Sequence, residues 1–167
     1  VNADHAGDQV TRRSRTGFLV FCNSALIHWH SEQQTGVETS TFGSEFMAMK
    51  QGCEYIHGLR YKLRMMGIHV DGFTCAYGDN QSVIANSSNP ESQLKKKSNS
   101  IAYHFVREGV ARDEWRIAYI NTLDNPSDLM SKCIPKGEKR NRFVSMLIHH
   151  VIADEDIPMD VIVSKLR

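Results

Sequence analysis

Apolar and polar positions change period along this chain, and the changes mark its elements. Thr16 to Phe21 and Ala25 to Trp29 are short β-prone runs split by Cys22-Asn23-Ser24, where Asn and Ser suit a turn. With Val1 to Ala6 ahead of them, they predict three antiparallel strands. From about Ser40 the period becomes helical: Phe46, Met49, Cys53, Ile56 and Leu63 recur on one face, Ser40 or Thr41 offers an N-cap, and Gly67 a stop. A helix from near Ser44 to Met66 follows. Phe73 to Gly78 reads as a fourth strand, ending at Asp79-Asn80-Gln81-Ser82, which opens a short helix to about Asn86. Ser87 to Asn99, rich in Ser, Asn and Lys, reads as a loop. Ile101 to Gly109 gives a further helix and Trp115 to Ile120 a fifth strand. Asn125-Pro126 reads as a helix start, with Asn as cap, Pro at the first helical position and Asp128 at the third. A last amphipathic helix runs from about Lys139 to His150.

The order β-β-β-α-β-α-α-β-α-α predicts an α/β domain in which helices pack on a mixed sheet. One domain over residues 1–150 and an acidic extension over 151–167 account for the chain. At 167 residues, 41% of them apolar, it can bury about 68 to 70% of its unfolded surface, enough for a core without disulfides or a structural metal. Cys22, Cys53, Cys75 and Cys133 have no C-x-x-C or zinc-site spacing and read as reduced thiols. No apolar run reaches the roughly 18 residues of a membrane span and no leader opens the chain, so an intracellular, cytoplasmic setting is expected. Val1 to Asp4 reads as the middle of a strand, as in a piece of a longer polyprotein.

The formal charge of +1 conceals basic clusters at Arg12, Arg13 and Arg15, at Lys95, Lys96 and Lys97, and at Lys136, Lys139, Arg140 and Arg142. Such patches suit a phosphate backbone, although each taken alone also reads as a solvated face. His28 and His30 flank Trp29 on one strand face, but no third ligand stands at useful spacing, and they read as ordinary strand residues.

Four carboxylates occupy unusual places. Asp4 lies inside an apolar first strand, Glu45 in the first turns of the long helix, Asp79 where the fourth strand ends, and Asp128 just after a helix start. Strand ends and helix N-termini are where side chains from several elements converge in α/β folds. Four converging acids repel one another unless divalent cations neutralise them, and all-oxygen ligation selects Mg²⁺ or Mn²⁺ over zinc. The chemistry that needs this arrangement is two-ion displacement at phosphorus. Singly, each acid also has a structural reading: Asp79 and Asp128 complement helix N-termini, Asp4 caps a turn, and Glu45 lies on the surface.

A resemblance sharpens the choice. Val1-Asn2-Ala3-Asp4-His5-Ala6-Gly7-Asp8 with Arg12-Arg13-Ser14-Arg15-Thr16-Gly17-Phe18 resembles the opening of the ribonuclease H domain of copia-type LTR retrotransposon polyproteins. In the same order, Ile27-His28-Trp29-His30-Ser31-Glu32-Gln33-Gln34 is similar to that family's Trp-x-Ser-Lys-Lys-Gln hairpin, and Ser40 to Ala48 to its Ser-Ser-Thr-Glu-Ala-Glu-Tyr-Met-Ala helix start. Gly78 to Ser82 resembles its Cys-Asp-Asn-Gln-Ser, Tyr103 to Glu108 its Tyr-His-Phe-Ile-Arg-Glu, and Asn125 to Lys132 its Asn-x-Ala-Asp-x-x-Thr-Lys. The likeness covers residues 1 to about 135. Gly43 and Phe42 depart from it, standing where the family usually has Glu and Thr, and should weaken the start of the long helix.

The resemblance implies a ribonuclease H-like fold with a five-stranded mixed sheet. It also implies that Asp4, Glu45, Asp79 and Asp128 bind two Mg²⁺ ions, with Mn²⁺ as a substitute, and cut the RNA strand of RNA-DNA hybrids during reverse transcription. Asp4 and Asp79 are then placed to bridge both ions, with Glu45 and Asp128 on either side. Asn80 and Gln81 are candidates for the sugar and phosphate near the scissile bond, although Asn80 also reads as a helix cap. Arg12, Arg13 and Lys95 to Lys97 are candidates for phosphate contacts further out. The implied partners are the hybrid and an adjacent reverse transcriptase domain, within virus-like particles. The rival from another class is a decayed domain of this fold that binds hybrid or braces the polymerase.

Overall fold

A computed structural model describes residues 1–89, 91 and 99–148. Lys95 to Lys97, most of the Ser87 to Asn99 loop and the 151–167 extension lie outside the described residues. The element order is the expected one: β1 (Asn2–Asp4), β2 (Arg15–Cys22), β3 (Ala25–Gln33), α1 (Thr41–Met65), β4 (Thr74–Gly78), α2 (Gln81–Ser88), α3 (Ser100–Ala111), β5 (Trp115–Tyr119), α4 (Asp128–Ser131) and α5 (Glu138–Leu147). No helix of the described residues is long and apolar enough to cross a membrane.

The single five-stranded sheet is not what forms. The strands divide into an antiparallel sheet β1-β2-β3 and a parallel pair β4-β5. β1 has three residues here, paired Asn2 to Gly17, Ala3 to Thr16 and Asp4 to Arg15. Towards β4 it offers the Val1 amine, which donates to the Tyr77 carbonyl at 2.7 Å, and one such bond does not make a ladder. Beyond Val1 a groove of about 390 Å³ separates Leu19 to Phe21 of β2 from Thr74 to Tyr77 of β4.

The β2-β3 hairpin turns at Asn23, whose φ of 55° lies in the left-handed region that Asn tolerates. Register then slips by one residue at Ile27, a bulge that sets His28 opposite Val20 and His30 opposite Phe18. Both imidazoles become part of the packing against α1. His30 stacks on Phe18 at 4.6 Å between centroids and His28 on Tyr55 at 4.1 Å. Burial, then the neighbouring His30, pushes the His28 pKa down.

Helix α1 begins where Ser40 accepts the Gly43 amide, and ends at Gly67, whose φ of 76° stops it. The weakness expected at Gly43 is offset. The Glu38 carboxylate lies over that glycine, where a Cβ would come within 2.2 Å of its Oε2, and brings negative charge to the helix N-terminus. The buried face of α1 carries Phe46, Met49, Cys53 and Ile56 into a core shared with Val83, Val106 and Trp115, while Leu63 is only half-buried. Arg60 is buried as well. Its guanidinium donates to the Thr74 hydroxyl at 3.0 Å and the Gly72 carbonyl at 2.6 Å, fixing where the chain re-enters as β4.

Two glycines allow close approaches. Gly109 of α3 receives the Trp115 ring, which would lie 1.9 Å from an added Cβ, while the indole N–H donates to the Val106 carbonyl at 3.0 Å. Gly17 of β2 lets α4 settle on the sheet, since a Cβ there would meet Met130 and the Ser131 amide at 2.7 to 2.8 Å. Helix α4 starts later than expected. Asn125 accepts the Ser127 amide through its side chain, and i to i+3 bonds carry the chain through Pro126 and Ser127, so Asp128 is the first helical residue and not the third.

Candidate active site around the first strand

Strand β1 is short, yet it and Val1 before it hold several neighbouring elements. The Ala3 amide donates to Glu45 Oε2 at 3.0 Å and holds α1. The Asn2 amide group donates to Asp128 Oδ1 at 2.7 Å and to the Ser131 hydroxyl, holding α4. The Val1 carbonyl accepts from Asn125 at 3.1 Å, and the Val1 amine reaches β4 through Tyr77. One tripeptide thus gathers the elements that carry Glu45, Asp79 and Asp128.

Electrostatics record that gathering. Burial, then the nearby Asp79 charge, pushes Glu45 up to about 8, with Lys132 and the Ala3 amide opposing. Glu45 and Asp79 are therefore neighbours, and Asp128 is tied to the same strand through Asn2. Asp4 lies beside them on β1 with its carboxylate folded over Gly7, where a Cβ would fall 1.8 Å from Oδ2.

Asp128 is held differently. It is 2% exposed, and besides Asn2 it accepts from Lys132 Nζ at 3.1 Å on Oδ1 and from Lys139 Nζ at 2.6 Å on Oδ2. Both its oxygens are engaged within the protein.

The donor chemistry fits hard divalent cations. Glu45 and Asp79 offer oxygen only, and a carboxyl kept protonated to about pH 8 by burial and a like neighbour is one that a bound cation would ionise. The ligand set is not closed in this conformation. Among the described residues, no three His, Cys, Asp or Glu side chains are grouped to hold one ion.

Of the predicted nucleic-acid contacts, Asn80 caps α2, its side-chain oxygen accepting the Ser82 and Val83 amides at 3.0 and 3.2 Å. Gln81 beside it is exposed. Arg12 and Arg13 are exposed on a turn organised by Asp8, which accepts the Val10 and Thr11 amides at 2.8 and 2.9 Å. The Thr11 and Val10 amides, then Gln33, pull the Asp8 carboxyl down to about 2.

Asn2, Lys132 and Lys139 were not singled out as site residues in the sequence. Lys132 had a readable signal, because it follows Asp128 by four positions on a helix. Asn2 had a fainter one, a polar residue two positions from Asp4 in a strand. Lys139 had none, since its contact depends on how α5 packs.

Over 137 residues the chain is 32% identical to the Retrovirus-related Pol polyprotein from transposon TNT 1-94 of Nicotiana tabacum, a match over 82% of this chain and 10% of that protein. Pol polyproteins from transposons RE1 and RE2 of Arabidopsis thaliana are 26% and 27% identical over 140 residues, 84% of this chain and 10% of each. The chain spans about a tenth of the length of these curated relatives. No family model and no solved structure matches it.

Proposed function

We propose, from a homology to copia-type retrotransposon Pol polyproteins that runs over most of the chain, that this region is their ribonuclease H. The reaction is endonucleolytic hydrolysis of the RNA strand of an RNA-DNA hybrid, with Asp4, Glu45, Asp79 and Asp128 as the acids that bind two Mg²⁺ or Mn²⁺ ions. The observation that carries this reading is that β1 holds Glu45 through the Ala3 amide and Asp128 through Asn2, with Asp79 near enough to Glu45 to raise it and Asp4 on the same strand. When bound, such ions supply an activated water and stabilise the leaving oxygen.

The chain's own residues do the rest. The Ala3 amide fixes one Glu45 oxygen and leaves the other available. The Asn80 cap fixes the start of α2 directly after Asp79, so that carboxylate issues from two rigid elements. Gln81 and the free amide nitrogen of Asn80 face the sugar and phosphate nearest the acids, and Arg12 and Arg13 meet phosphates further along the hybrid. Such contacts recognise backbone shape and the 2′-hydroxyl without reading sequence.

A second reading has one observation in its favour. Lys132 and Lys139 already neutralise Asp128, as expected of a domain of this fold that binds hybrid, or braces a polymerase, without cutting. Incubation of the chain with a labelled hybrid and Mg²⁺ or Mn²⁺, beside Asp79→Asn and an RNA duplex, separates the two. Metal-dependent cutting of the hybrid's RNA strand, lost in Asp79→Asn, is expected. Hybrid bound but uncut supports the second reading, and cutting that survives Asp79→Asn overturns the assigned site.

A further inference from the structure

Helix α5 is thinly attached. Phe143 is its one buried residue among those described, and its polar anchors are Lys139 on Asp128 and Arg142 on Asp124. The Lys139 stem runs past the Phe143 ring, with Nζ 5.4 Å from the ring centroid, so the buried anchor aims the ammonium. That ammonium lies 2.6 Å from Asp128 Oδ2. The other ammonium on Asp128, from Lys132, follows directly on the same short helix. Lys139 comes instead from a separate helix with few anchors.

We infer that Lys139 is a built-in competitor for the divalent cation, occupying Asp128 Oδ2 in the metal-free chain and withdrawing with α5 when an ion takes that oxygen. The inference rests on the cation reading above. It gives Lys139 a positioning role: the ammonium orients a buried carboxylate in the absence of metal, and sets how strongly metal is then held. An ion that uses Asp128 binds only the fraction of molecules in which Lys139 has left, so apparent affinity falls by that fraction. Arg142 on Asp124 opposes the same withdrawal from the next turn of α5.

Calorimetric titration of the full chain with MnCl₂ alone, without nucleic acid, tests this in four proteins: wild type, Lys139→Met, Lys139→Arg and Lys136→Met. Lys139→Met should bind Mn²⁺ at least about fivefold more tightly than wild type, the lower end of ordinary coupling between two linked sites. Lys139→Arg keeps the charge and the reach and should bind as wild type does. Lys136 is exposed and a few residues away, so Lys136→Met reports the effect of removing a nearby positive charge without a displaced contact. Equal or weaker binding by Lys139→Met overturns the inference, as does an equal gain in Lys136→Met. Absence of Mn²⁺ binding in all four proteins overturns the cation reading itself. Mn²⁺ bound by wild type with no change in Lys139→Met sinks only the role given to Lys139. Circular dichroism of each variant, unchanged from wild type, establishes that the fold is intact.

Discussion

Glu45, half-buried, and Asp128, fully buried, are two carboxylates beside the same strand, and they are stabilised in opposite ways. Asp128 accepts from an amide group and two ammoniums and is left with no unmet charge. Glu45 accepts one backbone amide and has Asp79 as a neighbour, so burial outweighs its partners and raises it to about 8. A buried acid with its own counter-ions serves as a strut, and removing it exposes their charges. Glu45, half-buried beside Asp79 and opposed by a Lys132 already bonded to Asp128, is a cost the fold carries, and such a cost at a strand end is what the proposed site would need.

The largest effect should come from breaking the strut. Asp128→Ala leaves Lys139, Lys132 and Asn2 facing an empty position, and should destabilise the chain by about 3 kcal/mol, the low end for a broken buried pair because both lysines are partly exposed. Urea midpoints measure it. A loss below about 1 kcal/mol would mean that the two ammoniums contribute as little as surface pairs do, and the contrast with Glu45 would collapse.

The pH dependence of stability probes the other acid. Folded, Glu45 keeps its proton to about pH 8, whereas the unfolded chain releases it near 4.5. Between those values the folded state holds the extra proton, so stability falls as pH rises. The fall runs between about pH 4.5 and 8. Glu45→Gln should remove most of it. Parallel profiles for wild type and variant would show that Glu45 ionises normally and that its burial is nominal.

The contrast also marks how far the site was legible before the fold. Asp4 stands out as an acid inside an apolar strand, Glu45 by its place in the first turns of a helix, and Asp79 and Asp128 at a strand end and a helix start, and the helix caps at Ser40 and Asn80 follow from residue type alone. The division into two sheets does not, because no residue pattern shows that a single bond, from Val1 to Tyr77, is all that joins that strand end to β4 among the hydrogen bonds of the described residues. Nor does the state of Asp128. Its two oxygens are satisfied from β1, from the end of α4 and from α5, the β1 partner lying 126 positions away in sequence, and no local pattern encodes that meeting. The late start of α4 is a matter of turn chemistry: Asn125 bonds the Ser127 amide and keeps Pro126 and Ser127 in a tighter turn than a capped α-helix.

Asn2 is the link through which the strut can be weakened without touching a charge. Asn2→Ala removes the donor to Asp128 and Ser131 and should cost about 1 to 2 kcal/mol, since one Asp128 oxygen then relies on Lys132. Asn2→Asp should cost more, because it sets a second carboxylate against the first. If the two substitutions are equally mild in thermal melts, Asp128 is held by the lysines alone.

The smallest effect separates cap from contact beside Asp79. The Asn80 side-chain oxygen is committed to the Ser82 and Val83 amides, which leaves its amide nitrogen for substrate. Asn80→Ala should lose the cap and cost about 1 kcal/mol, whereas Asn80→Ser keeps a capping oxygen and should cost a few tenths at most. Serine has no amide group to extend towards a sugar hydroxyl, so the two variants divide stability from chemistry. If Asn80 acts only by fixing α2, and through it Asp79, then Asn80→Ser should retain both thermal stability and hybrid cleavage. If its nitrogen also holds the substrate, Asn80→Ser should remain as stable as wild type while its KM for the hybrid rises several-fold with kcat less affected. The second pattern is the one expected, because an Asn spends one end of its amide on the cap and still presents two N–H groups at the acid cluster. Loss of stability in Asn80→Ser equal to that in Asn80→Ala would contradict the cap itself.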